Sequence, residues 1–345
     1  MISRIKKLRF FINDPNKKPY WLIIKEAGTY GWLKKEIPSD YIRKHLYRKG
    51  VVNYGKYLSM KQYRSIINSP NMVYPEISSL LKSKLSFAFF CSAYNLPVPK
   101  LLSYNLKNHF FFGESVFKIK TKQELIIFFE NVFKKTGQTR IFIKMLEKNG
   151  GFGCLVLNKN TFENDVEIHA ESLLKNCYIH QEVLEQHPLI NKINANAIST
   201  LRIDTYIDPV GKTHILSALM RFGIGASITD NSSSGDIFVS VDMQKGELRG
   251  TGKQNITSGG GEYVAHPDSR VVFDKYTIPF FKHTKKLVKK AVDHFPNRII
   301  GWDIAKGLDG PYIIEGNSDP SLHMSDMAYG GYCNHPLIQE ILKQV

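Results

Sequence analysis

Three oxygen-bearing side chains near the C-terminus have the types and spacing of a site for a hard cation. Asp303 lies in the apolar segment WDIA, and Glu315 and Asn317 lie two residues apart in YIIEGN. Both segments have strand character, and the Asp-Gly pair between them is a strong hairpin signal. Pairing these strands would bring the three side chains close, because residues i and i+2 share a face. Such a trio suits Mg²⁺, although a hairpin with solvent-facing polar residues is the alternative.

A lysine followed by a glycine-rich loop could hold the phosphates that such a cation would accompany. In FIKMLEKNGGFGC, Lys144 lies on a predicted strand, and Gly150, Gly151 and Gly153 follow it. Glycines let backbone N–H groups approach phosphate oxygens closely, since no Cβ intervenes. The segment matches neither the P-loop nor the GxGxxG pattern, so an ordinary hairpin turn is the alternative.

Two further segments could contact a nucleotide. In YIHQEVLEQHP the backbone of Glu182, Val183 and Leu184 could meet an adenine edge, and Glu185 could accept from ribose hydroxyls; ordinary surface carboxylates are the alternative. Arg202 lies in the middle of the predicted strand NAISTLRIDTY. A half-buried guanidinium needs an anionic partner, which is either a structural carboxylate or a transferred phosphoryl group.

The elements that must position these residues mix helices with antiparallel hairpins. This mixture predicts an α+β fold rather than a doubly wound parallel sheet. We predict a basic, largely helical N-terminal region at residues 1–78 and a helix with a linker at 79–115. A subdomain with the lysine and glycine loop follows at 116–185, and a metal-binding subdomain at 186–345.

Composition and length favour a cytoplasmic protein of two or three compact units. The chain has 345 residues, 43% of them hydrophobic. No apolar run reaches the roughly 18–20 residues needed to span a bilayer, and the N-terminus lacks the apolar core of a signal peptide. The four cysteines are far apart and lack metal-type spacing, so we expect them to be reduced.

The positive charge is concentrated in the N-terminal fifth of the chain. Residues 1–68 hold sixteen Lys and Arg against four Asp and Glu, in a protein of net charge +16, and aromatic residues are interleaved with them. A solvated helical surface is one interpretation. An anionic membrane surface, a polyanionic substrate and nucleic acid are the others. Nucleic acid is the weakest of these, because no zinc-finger, helix-turn-helix or RNA-binding aromatic motif is present.

Taken in order, several of these segments resemble the ATP-grasp superfamily, and within it the sugar-transfer-associated proteins found with surface-polysaccharide genes. The similarity runs from about Leu80 to the C-terminus. It is carried by KLSFAFFCSAYNLPVP, FIKMLEKNGGFG, HQEVLEQHP, NAISTLRI and GWDIAKGLDGPYIIEGN. The resemblance implies a fold in which two α+β subdomains clasp ATP. The first 75 or so residues depart from it, because they lack the alternating strands and helices of a standard substrate domain.

The resemblance also implies roles for individual residues. Lys84, placed one helix before NLP, and Lys144 would contact ATP phosphates, although Asn95 stands where the family usually has glycine. Arg202 would lie near the transferred phosphate. Residues 182–184 would form the adenine hinge, with Glu185 beside the ribose. Asp303, Glu315 and Asn317 would bind Mg²⁺.

The reaction implied by the resemblance is ATP-dependent amide formation from a carboxylate and an amine. Arg202 and Arg221 would hold the carboxyl phosphate, and His323 could take a proton from the amine. The loop Ile228–Asp236 and the segment SDPSLHMSD could bind the acceptor or form solvent-facing turns. We expect a uronic-acid carboxylate of a capsule or O-antigen glycan, or of a nucleotide sugar, and an amino acid as the amine. A sugar kinase and a non-catalytic polyanion-binding protein are the alternatives.

Overall fold

The structure, a computed structural model, describes residues 2–147, 153–225 and 237–345. The chain forms two compact units. The first consists of residues 1–78, 186–311 and 316–345, and the second of residues 79–185 and 312–315.

The α-helices of the described residues are, in chain order, α1 (Ile2–Asn13), α2 (Tyr20–Lys34), α3 (Ser39–Arg43), α4 (Met60–Ile67), α5 (Pro75–Lys82), α6 (Lys84–Ala93), α7 (Lys122–Thr136), α8 (Phe162–Lys175), α9 (Pro188–Ile193), α10 (Phe281–His294), α11 (Leu322–Tyr329) and α12 (Pro336–Leu342). The strands are β1 (Leu101–Leu106), β2 (His109–Phe112), β3 (Ser115–Lys118), β4 (Arg140–Met145), β5 (Leu155–Asn158), β6 (Cys177–Glu182), β7 (Thr200–Ile207), β8 (Thr213–Phe222), β9 (Ile237–Asp242), β10 (Glu247–Gln254), β11 (Glu262–Tyr263), β12 (Ile299–Lys306) and β13 (Pro311–Asn317). This mixture of helices and antiparallel strands confirms the predicted α+β class.

The second unit is built on a six-stranded sheet with the strand order β3-β2-β1-β6-β4-β5. Helices α7 and α8 contribute buried apolar side chains to one core with the sheet, which includes Ile141 and Ile143 of β4. Helix α7 begins at a capping box formed by Thr121 and Glu124, and Gly137 in the left-handed conformation ends it. Since side chains alternate along a strand, Lys144 projects from the face of β4 opposite to Ile141 and Ile143.

The first unit contains most of a seven-stranded sheet with the order β11-β10-β9-β8-β7-β12-β13, in which residues 312–315 of β13 are assigned to the second unit. Strand β12 pairs antiparallel with β7, so that Asp303 lies opposite Arg202. Helix α11 packs on one face of this sheet, and the Phe295 ring that follows α10 contacts Trp302 of β12 at a centroid distance of 5.7 Å. The predicted WDIA and YIIEGN strands are confirmed as β12 and β13, which are neighbours in the sheet.

The N-terminal region is helical, as predicted, and belongs to the first unit. Its own small core is rich in tyrosine, with Tyr30, Tyr41 and Tyr47 fully buried. A buried ion pair connects it to α11, since Lys44 Nζ lies 2.5 Å from Asp326 Oδ2. Among the described residues, no helix has the length and apolarity needed to cross a membrane.

Candidate active site

Asp303 is fully buried on β12 and forms ion pairs with two arginines. Arg202 donates from Nε to Oδ1 at 2.6 Å and from Nη2 to Oδ2 at 3.0 Å, and Arg221 Nη2 lies 3.0 Å from Oδ2. Asn317 Nδ2 also donates to Oδ2, at 3.5 Å. A buried carboxylate is stable only when its charge is compensated in this way. Four of the predicted site residues are therefore brought together.

Strand register explains this arrangement. Arg202 lies directly opposite Asp303 in the antiparallel pairing of β7 with β12, and Arg221 lies opposite Thr200 on the other side of β7. The Thr200 hydroxyl accepts from Arg221 Nε at 3.0 Å and from Nη2 at 2.6 Å, which fixes the guanidinium. The arginine for which the sequence predicted an anionic partner is buried and pairs with the Asp303 carboxylate, while its contact with a transferred phosphoryl group stays a prediction.

A second buried carboxylate, Asp204, was missed by the sequence interpretation. It lies opposite Gly301, and its Oδ2 accepts hydrogen bonds of 2.7 Å from the hydroxyls of Ser217 and Ser325. Burial raises the pKa of Asp204, while the Arg202 charge and the two hydroxyls act in the opposite direction. The Arg-x-Asp spacing in LRID was the available signal, because residues i and i+2 share a strand face.

Gly301 is required by close packing at this position. A Cβ there would lie 2.8 Å from Pro320 Cβ and 3.0 Å from Asp204 Oδ1. Real Cβ atoms do not approach other atoms so closely, so the strand needs a glycine opposite Asp204.

Within the second unit, Lys84, Lys144 and Glu315 form a charged cluster. Lys144 Nζ lies 4.0 Å from Glu315 Oε2, and Lys84 Nζ donates to the carbonyl of Leu146 at 2.9 Å. Burial lowers the pKa of Lys84, the neighbouring Lys144 lowers it further, and Glu315 opposes both effects. Two ammonium groups close enough to repel each other are a suitable environment for phosphate oxygens.

The glycine loop after β4 is described only in part. Gly150 and Gly151 lie outside the described residues, so their predicted phosphate contacts stay predictions. Gly153 has a φ of 73°, and a Cβ there would lie 3.1 Å from Met145 Cε. Both its conformation and the space around it therefore favour glycine. Burial raises the pKa of the next residue, Cys154, while Lys144 and Lys84 act in the opposite direction, so this thiol lies close to the cluster.

The predicted hinge residues end β6 and continue beyond it. Glu182 exchanges two hydrogen bonds with Lys100: its Oε1 accepts from the Lys100 amide at 2.9 Å, and its own amide donates to the Lys100 carbonyl at 3.0 Å. Val183 and Leu184 are half-buried. Glu185 is exposed and lies 3.2 Å from Arg140 Nη2. Their contacts with adenine and ribose stay predictions.

The segment after Asn317 forms α11, whose side chains reach several parts of the first unit. His323 is half-buried in its first turn. Ser325 binds Asp204, and Asp326 pairs with Lys44. This part of SDPSLHMSD is therefore packed rather than a solvent-facing turn. The other predicted acceptor loop, residues 228–236, lies outside the described residues.

The donor set of the predicted metal site fits Mg²⁺ by its chemistry. Glu315 and Asn317 lie two residues apart on β13, and Asn317 hydrogen-bonds to Asp303. Carboxylate and amide oxygens are ligands that Mg²⁺ accepts together with water and phosphate, and the binding of one ion by all three residues stays a prediction. Groups of three or more His, Cys, Asp or Glu with metal-binding geometry are absent from the described residues, so the amide is essential to this prediction.

Comparison with known families agrees with these observations. The family described as sugar-transfer associated ATP-grasp matches residues 61–341. This match confirms the resemblance, the ATP-grasp fold and the expectation of an ATP-grasp enzyme. No curated protein matches the chain.

Several solved structures are similar at low identity. One is a D-alanyl-alanine synthetase A from Vibrio cholerae O1 biovar eltor, at 12% identity and a TM-score of 0.47, with 79% of this chain and 67% of that chain covered. Another is the ATP-grasp ligase PsnB complexed with minimal precursor, at 14% identity and a TM-score of 0.44. The similarity covers 79% of this chain and 63% of that chain. A third is a D-alanine-D-alanine ligase from Coxiella burnetii, at 8% identity and a TM-score of 0.45. The similarity covers 79% of this chain and 60% of that chain.

Proposed function

Because this chain belongs to the sugar-transfer associated ATP-grasp family, we propose that it is an ATP-dependent carboxylate–amine ligase. The observation that carries this proposal is the cluster of Lys84, Lys144 and Glu315. It combines two partly buried ammonium groups with a carboxylate that lies 4.0 Å from one of them, Lys144. Such a combination suits a nucleoside triphosphate whose charge is shared between lysines and a metal ion.

The proposed reaction has two steps. A substrate carboxylate oxygen attacks the γ-phosphorus of ATP, the bond to the β,γ-bridging oxygen breaks, and ADP leaves. The amine nitrogen then attacks the acyl carbon of the resulting acyl phosphate, loses a proton, and phosphate departs as the amide forms. Bound Mg²⁺ would supply further charge neutralisation at the phosphates.

The residues of this chain have distinct tasks in the proposal. In segment 116–185, Lys144 balances phosphate charge together with Lys84 of the preceding segment. In segment 186–345, Arg202 and Arg221 orient Asp303 and place positive charge beside the acyl phosphate. His323 accepts the proton released by the amine. Positioned charges of this kind lower the barrier without requiring a nucleophilic side chain.

The substrate part of the proposal is a sugar carboxylate. The family description associates these proteins with sugar transfer, which supports a uronic acid of a capsule or O-antigen glycan or of a nucleotide sugar, with an amino acid as the amine. We place the enzyme in the cytoplasm at the inner face of a membrane, where it could meet lipid-linked or nucleotide-linked sugars. ADP release that requires both a uronic acid and an amino acid would support the ligase, whereas release with a sugar hydroxyl alone would indicate a kinase instead.

We expect Glu315→Ala to lose most of the Mg²⁺-dependent affinity for ATP, by about tenfold or more. The variant removes one carboxylate from the predicted metal ligands and leaves Lys144 without its partner. Isothermal calorimetry of both proteins with ATP, with and without Mg²⁺, measures the effect.

The matched control is Glu171→Ala, since Glu171 is exposed on α8 in the same unit and pairs only with Lys175 among the contacts described. Equal ATP affinity of Glu315→Ala and wild type would contradict the predicted ligand. A folded wild type that binds no ATP would overturn the proposed function.

The exposed face of α2 supports peripheral contact with an anionic membrane. Trp21, Ile24 and Trp32 lie near one face of the helix and are 67%, 73% and 79% exposed. The basic residues at positions 25 and 35 are exposed as well and lie close to these side chains in sequence. Apolar rings beside lysines suit the boundary between head groups and acyl chains of anionic lipids.

We expect Trp21→Ser combined with Trp32→Ser to weaken binding to anionic liposomes about tenfold or more, because both rings would leave the interface. Co-sedimentation with vesicles of phosphatidylcholine and phosphatidylserine measures the liposome binding.

Val210→Ser combined with Ile168→Ser is the control, since these are exposed apolar residues elsewhere on the protein. Point variants are preferable to deleting residues 1–68, which would remove Lys44 from its buried pair with Asp326. Unchanged binding would exclude this face as the membrane contact.

A further inference from the structure

A cavity of about 270 Å³ within the first unit has no task in the reaction described above. It is lined by residues of the basic N-terminal region, by β10 and by Met327 of α11. Four of its lining side chains are basic, namely Lys44, Arg48, Lys49 and Lys253. Its size is at the lower limit of small-molecule sites, so it suits a compact charged group rather than a whole nucleotide.

The basic side chains differ in how their charge is balanced. Lys44 pairs with Asp326, and Arg48 Nε lies 2.7 Å from Asp14 Oδ2. Lys253 instead donates from Nζ to a neutral acceptor, the carbonyl of Met327, at 2.8 Å. Burial lowers the pKa of Lys253, Arg48 lowers it further, and Glu262 at the rim opposes them. A bound anion would stabilise this ammonium.

His45 provides an independent indication of a ligand. Its side chain is 5% exposed, and neither ring nitrogen has a hydrogen-bond partner among the described residues. Burial lowers its pKa to about 3, so the ring is neutral and offers one N–H donor. A buried donor without a partner is costly, and native proteins usually satisfy such groups. The backbone at His45 is also in the left-handed region, with a φ of 59°.

The glycine turn between β10 and β11 makes room for this histidine. Gly259 and Gly260 have φ values of 117° and 59°. A Cβ on Gly260 would lie 2.5 Å from His45 Cε1, and the next residue, Gly261, lines the cavity. The turn thus needs glycine for its conformation and for the space beside the ring. Its sequence, SGGG, has no role in the ATP-binding part of the proposal.

We propose that this cavity binds the phosphate group of a phosphorylated acceptor. The Lys253 ammonium, the His45 N–H and the Arg48 side chain would face its oxygens, and Lys49 would attract it from the rim. Phosphate is favoured over a carboxylate because it carries more charge and offers more acceptor oxygens to several donors.

Helix α11 connects this cavity with the carboxylates of the proposed active site. Ser325 binds Asp204 beside Arg202, while Met327, two residues later, lines the cavity and accepts from Lys253. An acceptor held by its phosphate in the cavity would therefore lie against the helix that reaches the buried carboxylates. The acceptor identity rests on the proposed ligase function, whereas phosphate binding by the cavity does not.

The test is calorimetry of the full chain with glucose 1-phosphate, in the presence of Mg²⁺ and a saturating non-hydrolysable ATP analogue. Glucose serves as the uncharged control ligand. We expect wild type to bind glucose 1-phosphate and Lys253→Met to bind it at least about tenfold more weakly. Lys49→Met, which changes only an exposed rim residue, should weaken it severalfold. Lys212→Met, at an exposed turn of the same unit, should have no effect.

A parallel measurement distinguishes a soluble from a lipid-linked phosphate. It uses phosphatidylcholine vesicles with and without phosphatidic acid, a lipid phosphate monoester. Binding that depends on Lys253 supports the proposal in either measurement and identifies the source. Binding that is unaffected by both Lys253→Met and Lys49→Met, or absent from wild type in both measurements, overturns it. ATP binding is measured separately, so failure of the ligase proposal and failure of the phosphate site give different results.

Discussion

We expect Arg202→Met to reduce ATP-dependent product formation on the order of a hundredfold to a thousandfold. Arg202 donates two hydrogen bonds to Asp303, a carboxylate that is fully buried. Without that guanidinium, Arg221 and Asn317 would have to hold Asp303, and the charge beside the acyl phosphate would fall by one. A planar, bidentate contact cannot be replaced by an aliphatic side chain of similar length.

The measurement is steady-state ADP release with a uronic acid and an amino acid as substrates. Arg202→Lys keeps the positive charge but cannot form the bidentate contact of a guanidinium, so its activity should lie between those of wild type and Arg202→Met. Arg298→Met is the matched control, because Arg298 donates to the carbonyl of Ile207 and stacks on Tyr206 instead. Thermal unfolding of each variant shows whether it remains folded. Full activity of a folded Arg202→Met variant would contradict the role proposed for this arginine.

The sequence was sufficient for the local features of the site. Alternating polarity and the Asp-Gly turn predicted β12 and β13, and the strand that carries Lys144 was predicted from its apolar residues. These features depend on short-range geometry, namely the two-residue period of strands and the preference of turns for glycine. The ATP-grasp assignment depended further on the order of several such segments along the chain.

Long-range partners could not be predicted in the same way. Asp303 pairs with Arg202, which is 101 positions away, and Lys44 pairs with Asp326, which is 282 positions away. No local pattern specifies which distant charge will lie opposite a buried one. The same reason explains why His45 and Lys253 gave no signal of a shared cavity. Asp204 differs, since its spacing from Arg202 was a visible signal in the sequence.

We expect Lys44→Met to lower the free energy of unfolding by about 3–5 kcal/mol, because it leaves a buried carboxylate without its partner. Lys44 Nζ lies 2.5 Å from Asp326 Oδ2, and both side chains are almost fully buried. Asp326 also accepts from the amides of Leu58 and Tyr332, so it joins the N-terminal region to the C-terminal helices of the same unit. Urea denaturation of wild type and variant measures the loss.

The pH dependence of this loss separates the lost charge pair from a packing defect. Burial already raises the pKa of Asp326, against the effect of Lys44, and removing that ammonium raises it further. A carboxyl whose folded-state pKa is raised contributes its full stability below its unfolded-state pKa, and that stability is lost as the pH rises through the folded-state value. The loss of unfolding free energy in Lys44→Met should therefore become smaller as the pH is lowered from about 7 to about 5 and Asp326 takes up a proton.

The double variant Lys44→Met with Asp326→Leu should recover much of the stability at neutral pH, since neither charge remains buried. A deficit that is equal at both pH values and unchanged in the double variant would mean that packing, rather than charge compensation, makes Lys44 necessary.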